Sequence, residues 1–235
     1  MEAANEAFTV MLIIANVLFS WRGFGDRRFF ERNVFSVGDI LGRGEAVRMV
    51  SSGFLHANAG HLLFNMMALY SFSVGVGTVF GFMPYLAVYF GSLLGGNLLA
   101  LYIQRNNPSY RAVGASGAVC GVIYSSILLF PDSSISILFL PVAMPSWLFG
   151  ILFIAVSVWG IRTGLGNIGH EAHLGGAISG ILISVLIKPR LLQDRPVLIM
   201  ALLSITAAFL YLLVKRPGLL RAGGGGRGGR RPGTW

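Results

Sequence analysis

The chain has 235 residues, of which 54% are hydrophobic and 11% are charged. Ordinary soluble domains carry about 25% charged residues, so this chain has too few charged side chains to cover a water-facing surface, and a soluble enzyme is nearly excluded. The formal net charge is +9, but the basic residues lie in connections and in a Gly/Arg-rich C-terminal tail, so we expect no nucleic-acid partner. The composition predicts a protein of the lipid bilayer.

Apolar runs separated by helix breakers predict seven membrane-spanning helices, because each span needs roughly 20 residues. The predicted spans are Phe8–Trp21, His61–Phe80, Pro84–Ile103, Val113–Phe130, Trp147–Ile161, Ala172–Lys188 and Val197–Val214. Residues 22–52 form a long connection, and residues 136–145, which contain two prolines, predict a membrane-dipping connection instead of a regular helix. The spans divide the chain into a six-helix core (residues 1–190), a seventh helix (191–216) and a disordered tail (217–235).

Several polar side chains lie at or within these spans, where burying them costs free energy and needs a reason. They are His56, His61, Asn65, Ser116 and His173. Spans two, four and six begin on the same side of the membrane, and His61, Ser116 and His173 lie in their respective first turns. The pattern therefore predicts that these groups share one membrane depth.

A serine beside a histidine is the minimum for nucleophilic catalysis, because the imidazole must take the hydroxyl proton. Ser116 and His173 are the candidate nucleophile and base. The nearest acid, Glu171, projects to another helix face, so the pattern favours a dyad over a triad. His61 and Asn65, spaced i, i+4, supply donors suited to an oxyanion hole. Each residue taken singly has a plainer structural interpretation, such as a serine bonded to its own helix or an asparagine joining two helices.

Small residues at GxxxG spacing let two helix backbones approach closely. Two such pairs follow the candidate dyad along the chain: Gly117 and Gly121 on span four, and Gly176 and Gly180 on span six. We expect spans four and six to meet along these glycines and to bring His173 within hydrogen-bond reach of Ser116. Gly91 and Gly95 on span three have the same spacing and predict packing alone.

These motifs resemble those of the rhomboid intramembrane serine proteases, in the same order and on the same spans. They are His56-x4-His61-x3-Asn65, Gly114-Ala115-Ser116-Gly117 and Ala172-His173-Leu174-Gly175-Gly176-x3-Gly180. The resemblance covers roughly residues 8–188 and is strongest to the bacterial and the mitochondrial presenilin-associated types. It implies an all-α integral membrane fold with a six-helix rhomboid core, to which this chain adds a seventh helix.

The resemblance also implies roles for single residues and a class of substrate. The implied roles are nucleophile for Ser116, general base and then acid for His173, oxyanion hole for His61, Asn65 and the Ser116 backbone N–H, and support for His56 and Gly114. The implied substrates are single-span membrane proteins, which enter beside span five and the connection that precedes it. No metal and no cofactor are implied.

Two positions depart from the family pattern. Val47-Arg48 stands where members often have Trp-Arg, so the arginine is kept. Cys120 stands where many members have a tyrosine whose ring stacks on the catalytic imidazole, and Tyr124 lies one turn further along the helix. We therefore expect His173 to be held less rigidly than in those members.

The sequence is compatible with two other functions. A catalytically silent rhomboid-like protein that binds transmembrane helices has no need of both Ser116 and His173, so their presence argues against it. A transporter or channel should place acids inside its spans, and no Asp or Glu lies in the middle of a predicted span. The membrane itself also stays open between a bacterial cell membrane and a mitochondrial inner membrane.

Charge and family resemblance predict opposite orientations. The chain has 18 Lys and Arg residues; in the seven-span topology, Lys188, Arg190 and Arg195 lie on one side, which leaves fifteen on the side of the candidate site. The positive-inside rule would place that side in the cytoplasm. The resemblance implies that the site faces away from the cytoplasm, and we favour that orientation.

Overall fold

The computed structural model describes residues 2–136, 143–163 and 169–215. Four helices in this part of the chain are long and apolar enough to cross a bilayer: Glu6–Gly25, Ala59–Phe80, Phe82–Gln104 and His170–Ile187. Three apolar helices are shorter: Ser116–Leu129, Ser146–Ser157 and Pro196–Tyr211. The predicted multi-pass membrane character is confirmed, whereas the count of seven spans stays a prediction.

The described residues fold mostly into helices. In chain order these are α1 (Glu2–Gly25), α2 (Arg27–Asn33), α3 (Val37–Arg43), α4 (Arg48–Ser51), α5 (Ala59–Phe80), α6 (Phe82–Gln104), α7 (Ser116–Leu129), α8 (Ser146–Thr163), α9 (His170–Ile187), α10 (Leu191–Asp194) and α11 (Pro196–Lys215), with a 3-10 turn at Ser52–Phe54. The short strands are β1 (Phe35–Ser36), β2 (Arg111–Ala112), β3 (Ser134–Ser136) and β4 (Ala143–Pro145). They form two antiparallel pairs, β1 with β2 and β3 with β4.

The seven predicted apolar runs correspond to α1, α5, α6, α7, α8, α9 and α11. The largest difference is at the start, where α1 begins at Glu2 and not at Phe8. Residues 134–136 and 143–145 pair as strands, but residues 137–142 lie outside the described residues, so a membrane-dipping connection stays a prediction. The division at residues 190 and 216 is likewise a prediction, and the tail lies outside the described residues.

The central helix of the bundle is α7. Its 14 residues make it about 21 Å long, whereas the hydrocarbon core of a bilayer is about 30 Å thick. Eleven of these residues are buried, because α5, α6, α8 and α9 pack around the helix. A helix enclosed by protein need not match the thickness of the bilayer, so α7 can begin at Ser116 without reaching the membrane surface.

The long connection between α1 and α5 is ordered and is tied to the chain that leads into α7. The buried Arg48 donates hydrogen bonds to the carbonyls of Glu31, at 2.7 Å, and Val34, at 2.9 Å. The Arg111 side chain pairs with the Glu31 carboxylate, and β1 pairs with β2. The connection thereby holds β2 in place just before Ser116.

Candidate active site

Gly114 lies where the chain turns into α7, and its φ of +129° is one that favours glycine. A Cβ at Gly114 would lie 2.9 Å from Nε2 of His61 and 3.7 Å from Oγ of Ser116. A larger residue would therefore collide with the His61 ring. Because Gly114 has no side chain, the His61 imidazole and the Ser116 hydroxyl can both approach the same point. The His61 ring also contacts the ring of His56, with centroids 5.0 Å apart.

The hydrogen bonds of the fully buried His56 determine which ring nitrogen carries the proton. Ser20 Oγ donates to the carbonyl of Phe54 at 2.9 Å. Its single hydrogen is then used, so Ser20 must accept from Nδ1 of His56, also at 2.9 Å. Nε2 is left as an acceptor and faces the backbone N–H of Ala115 at 3.4 Å. A chain of hydrogen bonds thus connects α1, through His56, to the residue before Ser116.

Asn65 lies one turn after His61 on α5. Its Nδ2 donates to the carbonyl of His61 at 3.0 Å, and its side chain is buried. A side-chain amide has two N–H donors, and the carbonyl of His61 uses one of those of Asn65. Both residues depend on where α5 begins, which is set by the Asn58 side chain that accepts the His61 backbone N–H at 2.8 Å.

Helices α7 and α9 meet backbone to backbone at the four glycines singled out in the sequence. A Cβ at Gly176 would lie 2.0 Å from the carbonyl oxygen of Gly117. A Cβ at Gly180 would lie 2.5 Å from Cα of Gly121. Such distances leave no room for a side chain, so the close approach of these helices requires glycine at both positions of α9.

Helix α6 approaches α9 equally closely from another side, a contact that the sequence analysis missed. A Cβ at Gly175 would lie 2.7 Å from the carbonyl oxygen of Gly95, and one at Gly96 would lie 2.5 Å from that of Ala172. The signal in the sequence was the pair of glycine doublets, Gly95-Gly96 and Gly175-Gly176. Helix α9 is therefore held between α6 and α7 directly beside His173.

His173 is buried in the first turn of α9, next to the Ala172 carbonyl that lies against Gly117. Its Nε2 is buried and has no hydrogen-bond partner among the described residues, so this atom makes no bond to Ser116. Catalytic hydrogen bonds often tighten only when substrate binds. The His173 ring packs against the rings of Phe153, at 5.7 Å between centroids, and His170, at 5.6 Å.

The ring of Phe153 comes from α8, which the sequence analysis did not connect with His173. Cys120 is buried on α7, at the position where a stacking tyrosine occurs in many rhomboids, and His173 nevertheless has an aromatic neighbour. Nothing in the local sequence identifies Phe153 as a neighbour of His173, because an aromatic residue on a span is also typical of a lipid-facing surface. Ser20 was missed for a similar reason, since a serine on the first span has no chemical role by itself.

A family model described as the Rhomboid domain matches residues 43–190, which is more than half of the chain. The chain belongs to the rhomboid family. The resemblance predicted from the three motifs is thereby confirmed.

Curated relatives agree with this assignment. The chain is 32% identical over 184 residues to RHOMBOID-like protein 12, mitochondrial, of Arabidopsis thaliana, covering 71% of this chain and 54% of the relative. It is 31% identical over 139 residues to Rhomboid protein 1, mitochondrial, of Saccharomyces cerevisiae, covering 58% and 40%. It is 28% identical over 189 residues to Presenilin-associated rhomboid-like protein A, mitochondrial, of Danio rerio, covering 77% and 47%. The chain spans about half the length of these relatives.

In this rhomboid, the buried Glu171 of α9 binds groups on two other segments. Its carboxylate accepts hydrogen bonds from Gln104 Nε2 at 2.5 Å and from the Tyr110 hydroxyl at 3.0 Å. Burial, together with the charge of Glu171, raises the pKa of Tyr110 above its ordinary value, so the hydroxyl keeps its proton and remains a donor. Glu171 thus ties the start of α9 to the end of α6 and to the segment that precedes α7.

A small recess lies beside Ser116 and has a polar wall. It is lined by Ser52, Asn97, Ala112, Val113, Gly114, Ser116, Gly169 and Ala172. Asn97 is fixed there because its Nδ2 donates to the carbonyl of Met49 at 2.7 Å and contacts Ser52 Oγ at 3.3 Å. Within the described ranges, no three His, Cys, Asp or Glu side chains cluster as a metal site would need.

Proposed function

We propose that this rhomboid is a serine endopeptidase that hydrolyses peptide bonds in or near the membrane span of single-span proteins. The observation that supports the proposal is that Ser116 begins the buried helix α7, beside His61, while α9 carries His173 and is packed on α7 through glycines. Ser116 Oγ would attack the scissile carbonyl while His173 takes its proton and then passes it to the leaving amine. Water, with the same histidine as base, would hydrolyse the resulting ester.

The negative charge of the tetrahedral intermediate requires donors beside Ser116. In the proposal these are His61, Asn65 and the backbone N–H of Ser116, with His56 and Gly114 positioning the segment that carries them. We expect Asn65→Ala and His61→Ala each to lower kcat by roughly 10²-fold, the scale of one lost oxyanion donor. KM should change little, because the ground-state carbonyl oxygen does not yet occupy the oxyanion position. An effect mainly on KM would make these residues substrate-binding groups instead.

The proposal includes partners and a location. The substrates would be single-span membrane proteins embedded in the same bilayer, and the reaction would use no metal or cofactor. The names of the relatives include the word mitochondrial, which supports a mitochondrial inner membrane; a bacterial cell membrane fits the same sequence. Fractionation of the native cell would distinguish these two locations.

The proposal is tested with protein reconstituted in liposomes together with a panel of tagged single-span proteins. A fluorophosphonate probe, which reacts with activated serines, is used in parallel. We expect Ser116→Ala and His173→Ala each to abolish cleavage, and Ser116→Ala to abolish labelling. The double variant should be no less active than either single variant, because the residues act as a unit. Cleavage by Ser116→Ala within about tenfold of the parent rate would overturn the assignment, since loss of a covalent nucleophile costs several orders of magnitude.

One observation favours a second function. Nε2 of His173 has no hydrogen-bond partner among the described residues, as is expected where the histidine does not activate a serine. The second candidate is therefore a catalytically silent rhomboid that binds transmembrane helices. Absence of labelling by the probe, together with capture of uncleaved single-span proteins from the panel, would establish that function in place of proteolysis.

A further inference from the structure

Two rings pack against the His173 imidazole, those of Phe153 and His170. Its Nε2 makes no hydrogen bond with any described residue, so no bond at this atom fixes the imidazole. The ring of Phe153 lies against it, with centroids 5.7 Å apart and planes inclined by 38°. Because an imidazole can rotate about two side-chain torsions, a flat neighbour of this kind restricts which orientations are available.

Phe153 is itself held from α7. Tyr124 of α7 packs its ring against that of Phe153, with centroids 6.4 Å apart, and donates its hydroxyl to the carbonyl of Gly150 at 2.6 Å. Gly150 lies one turn before Phe153 on α8, and a Cβ there would lie 3.5 Å from the Tyr124 ring. The contact between α7 and α8 therefore lies in the same turn of α8 as Phe153, whose ring packs against His173.

Two described side chains of α8 near Phe153 are exposed. Leu152 and Val156, on either side of Phe153, are 45% and 60% exposed, as expected for residues that face lipid. On α7, Cys120 lies between Ser116 and Tyr124 at helical spacing, so all three share one face. Cys120 is small and buried and carries no ring, whereas Phe153 of α8 places a ring against His173.

We propose that Phe153 is a positioning residue for His173, so that the orientation of the candidate base depends on how α8 is seated against α7. The inference rests on the proposed function, because it assigns Phe153 a part in the reaction of the same dyad. The phenyl ring packs against the imidazole, so it acts on the reaction only through His173.

The test compares two phenylalanines on α8. Phe153→Leu removes the flat ring but keeps most of the volume, and Phe153→Tyr keeps the ring. Phe149→Leu is the matched control, because the Phe149 ring lies one turn away and contacts Phe72 and Phe153. The readouts are the rate of fluorophosphonate labelling of Ser116, kcat and KM in liposomes, and Tm.

We expect Phe153→Leu to reduce the labelling rate and kcat by about 10- to 10²-fold, on the scale of a 1 Å misplacement of a catalytic group, with little change in KM. Phe153→Tyr and Phe149→Leu should stay within about threefold of the parent, less than 1 kcal/mol on the barrier. A ring placed on α7 should restore the activity that is lost without Phe153. Cys120→Tyr should therefore raise activity in a Phe153→Ala background. In the parent it should lower activity, because both rings would compete for one space.

The outcomes separate this inference from the proposed function. If the parent reacts with the probe and Phe153→Leu reacts at the parent rate, Phe153 does not position His173, and the proposed function is untouched. If Phe149→Leu loses as much activity as Phe153→Leu at the same fall in Tm, the effect is general packing and the inference is wrong. If the parent neither labels nor cleaves, the proposed function fails and this inference fails with it.

Discussion

The two contacts that α7 makes with α9 and with α8 differ in kind. Toward α9 the backbones touch, so that a Cβ at Gly180 would lie 2.5 Å from Cα of Gly121. Toward α8 the contact is made by side chains, so that a Cβ at Gly150 would lie 3.0 Å from the end of the Ile127 side chain. Among the described residues, the Tyr124 hydroxyl of α7 donates to the carbonyl of Gly150 on α8.

The difference between these two contacts indicates which of them can adjust. In a bilayer, lipid is as apolar as a helix surface, so helices associate through close packing and hydrogen bonds. Backbone contacts have no rotamers to adjust and tolerate no displacement, whereas rings and methyl groups can repack. The contact between the helices that carry Ser116 and His173 is accordingly stiff, whereas the side-chain contact between α7 and α8 can adjust.

The largest expected effect breaks the stiff contact. Gly180→Ala adds one methyl group against backbone, and overpacking of this kind typically costs about 1–3 kcal/mol of stability. The helices must tilt or separate, and a shift of about 1 Å at the dyad lowers the cleavage rate by about 10²-fold. Gly180→Val should be more severe. Initial rates and Tm are measured on protein purified in one detergent.

The matched control is the same change on the other contact. Gly150→Ala also adds one methyl group, but it meets side-chain ends that can move aside, so we expect a loss of cleavage rate below about tenfold. Gly91→Val on α6 is a second control, because its Cβ would meet the end of the Ile183 side chain. Equal losses of activity at Gly150 and Gly180 would show that the two contacts are equally stiff.

A variant with a smaller expected effect tests whether α1 also helps to hold the candidate site rigidly. Ser20→Ala removes the hydroxyl that accepts from His56 Nδ1 and donates to the Phe54 carbonyl. Both buried groups lose this hydrogen bond, at a cost of about 1–3 kcal/mol of stability. We expect kcat to fall by about tenfold, because His56 would hold the Ala115 backbone less well. Ser71→Ala, which removes an exposed hydroxyl bonded to its own helix, should leave activity unchanged. A fall in Tm without a fall in kcat would limit Ser20 to stability.

The smallest effect concerns the ends of the helices. Tyr110→Phe removes one of two hydrogen bonds to Glu171, and the Gln104 bond remains. We expect a fall of about 1 kcal/mol in stability and a loss of cleavage rate below about fivefold at neutral pH. Tyr102→Phe, at a half-exposed site on the same helix as Gln104, is the control. A Tyr110→Phe variant with cleavage reduced 10²-fold would give Glu171 a part in the reaction itself.

Much of the architecture could be predicted because its determinants are local. The apolar runs and the breakers between them placed α5, α6 and α9 within two residues of their observed starts, since a span must be continuous in sequence. The glycine pairs of spans four and six were equally readable, because their i, i+4 spacing places both members on one helix face. The family assignment followed from three motifs in the order in which they occur.

Membrane residence, the order of the spans and the candidate chemistry of Ser116 and His173 can be predicted from the sequence, because each depends on composition or on residues close in the chain. The contacts of Phe153 and Ser20 arise only when the helices pack together. Whether an aromatic on a span faces lipid or a histidine depends on the rotation of that helix about its axis, which is set by every neighbour at once. Likewise, Ser20 fixes the proton of His56 only because α1 packs beside the turn at Phe54, 34 residues away.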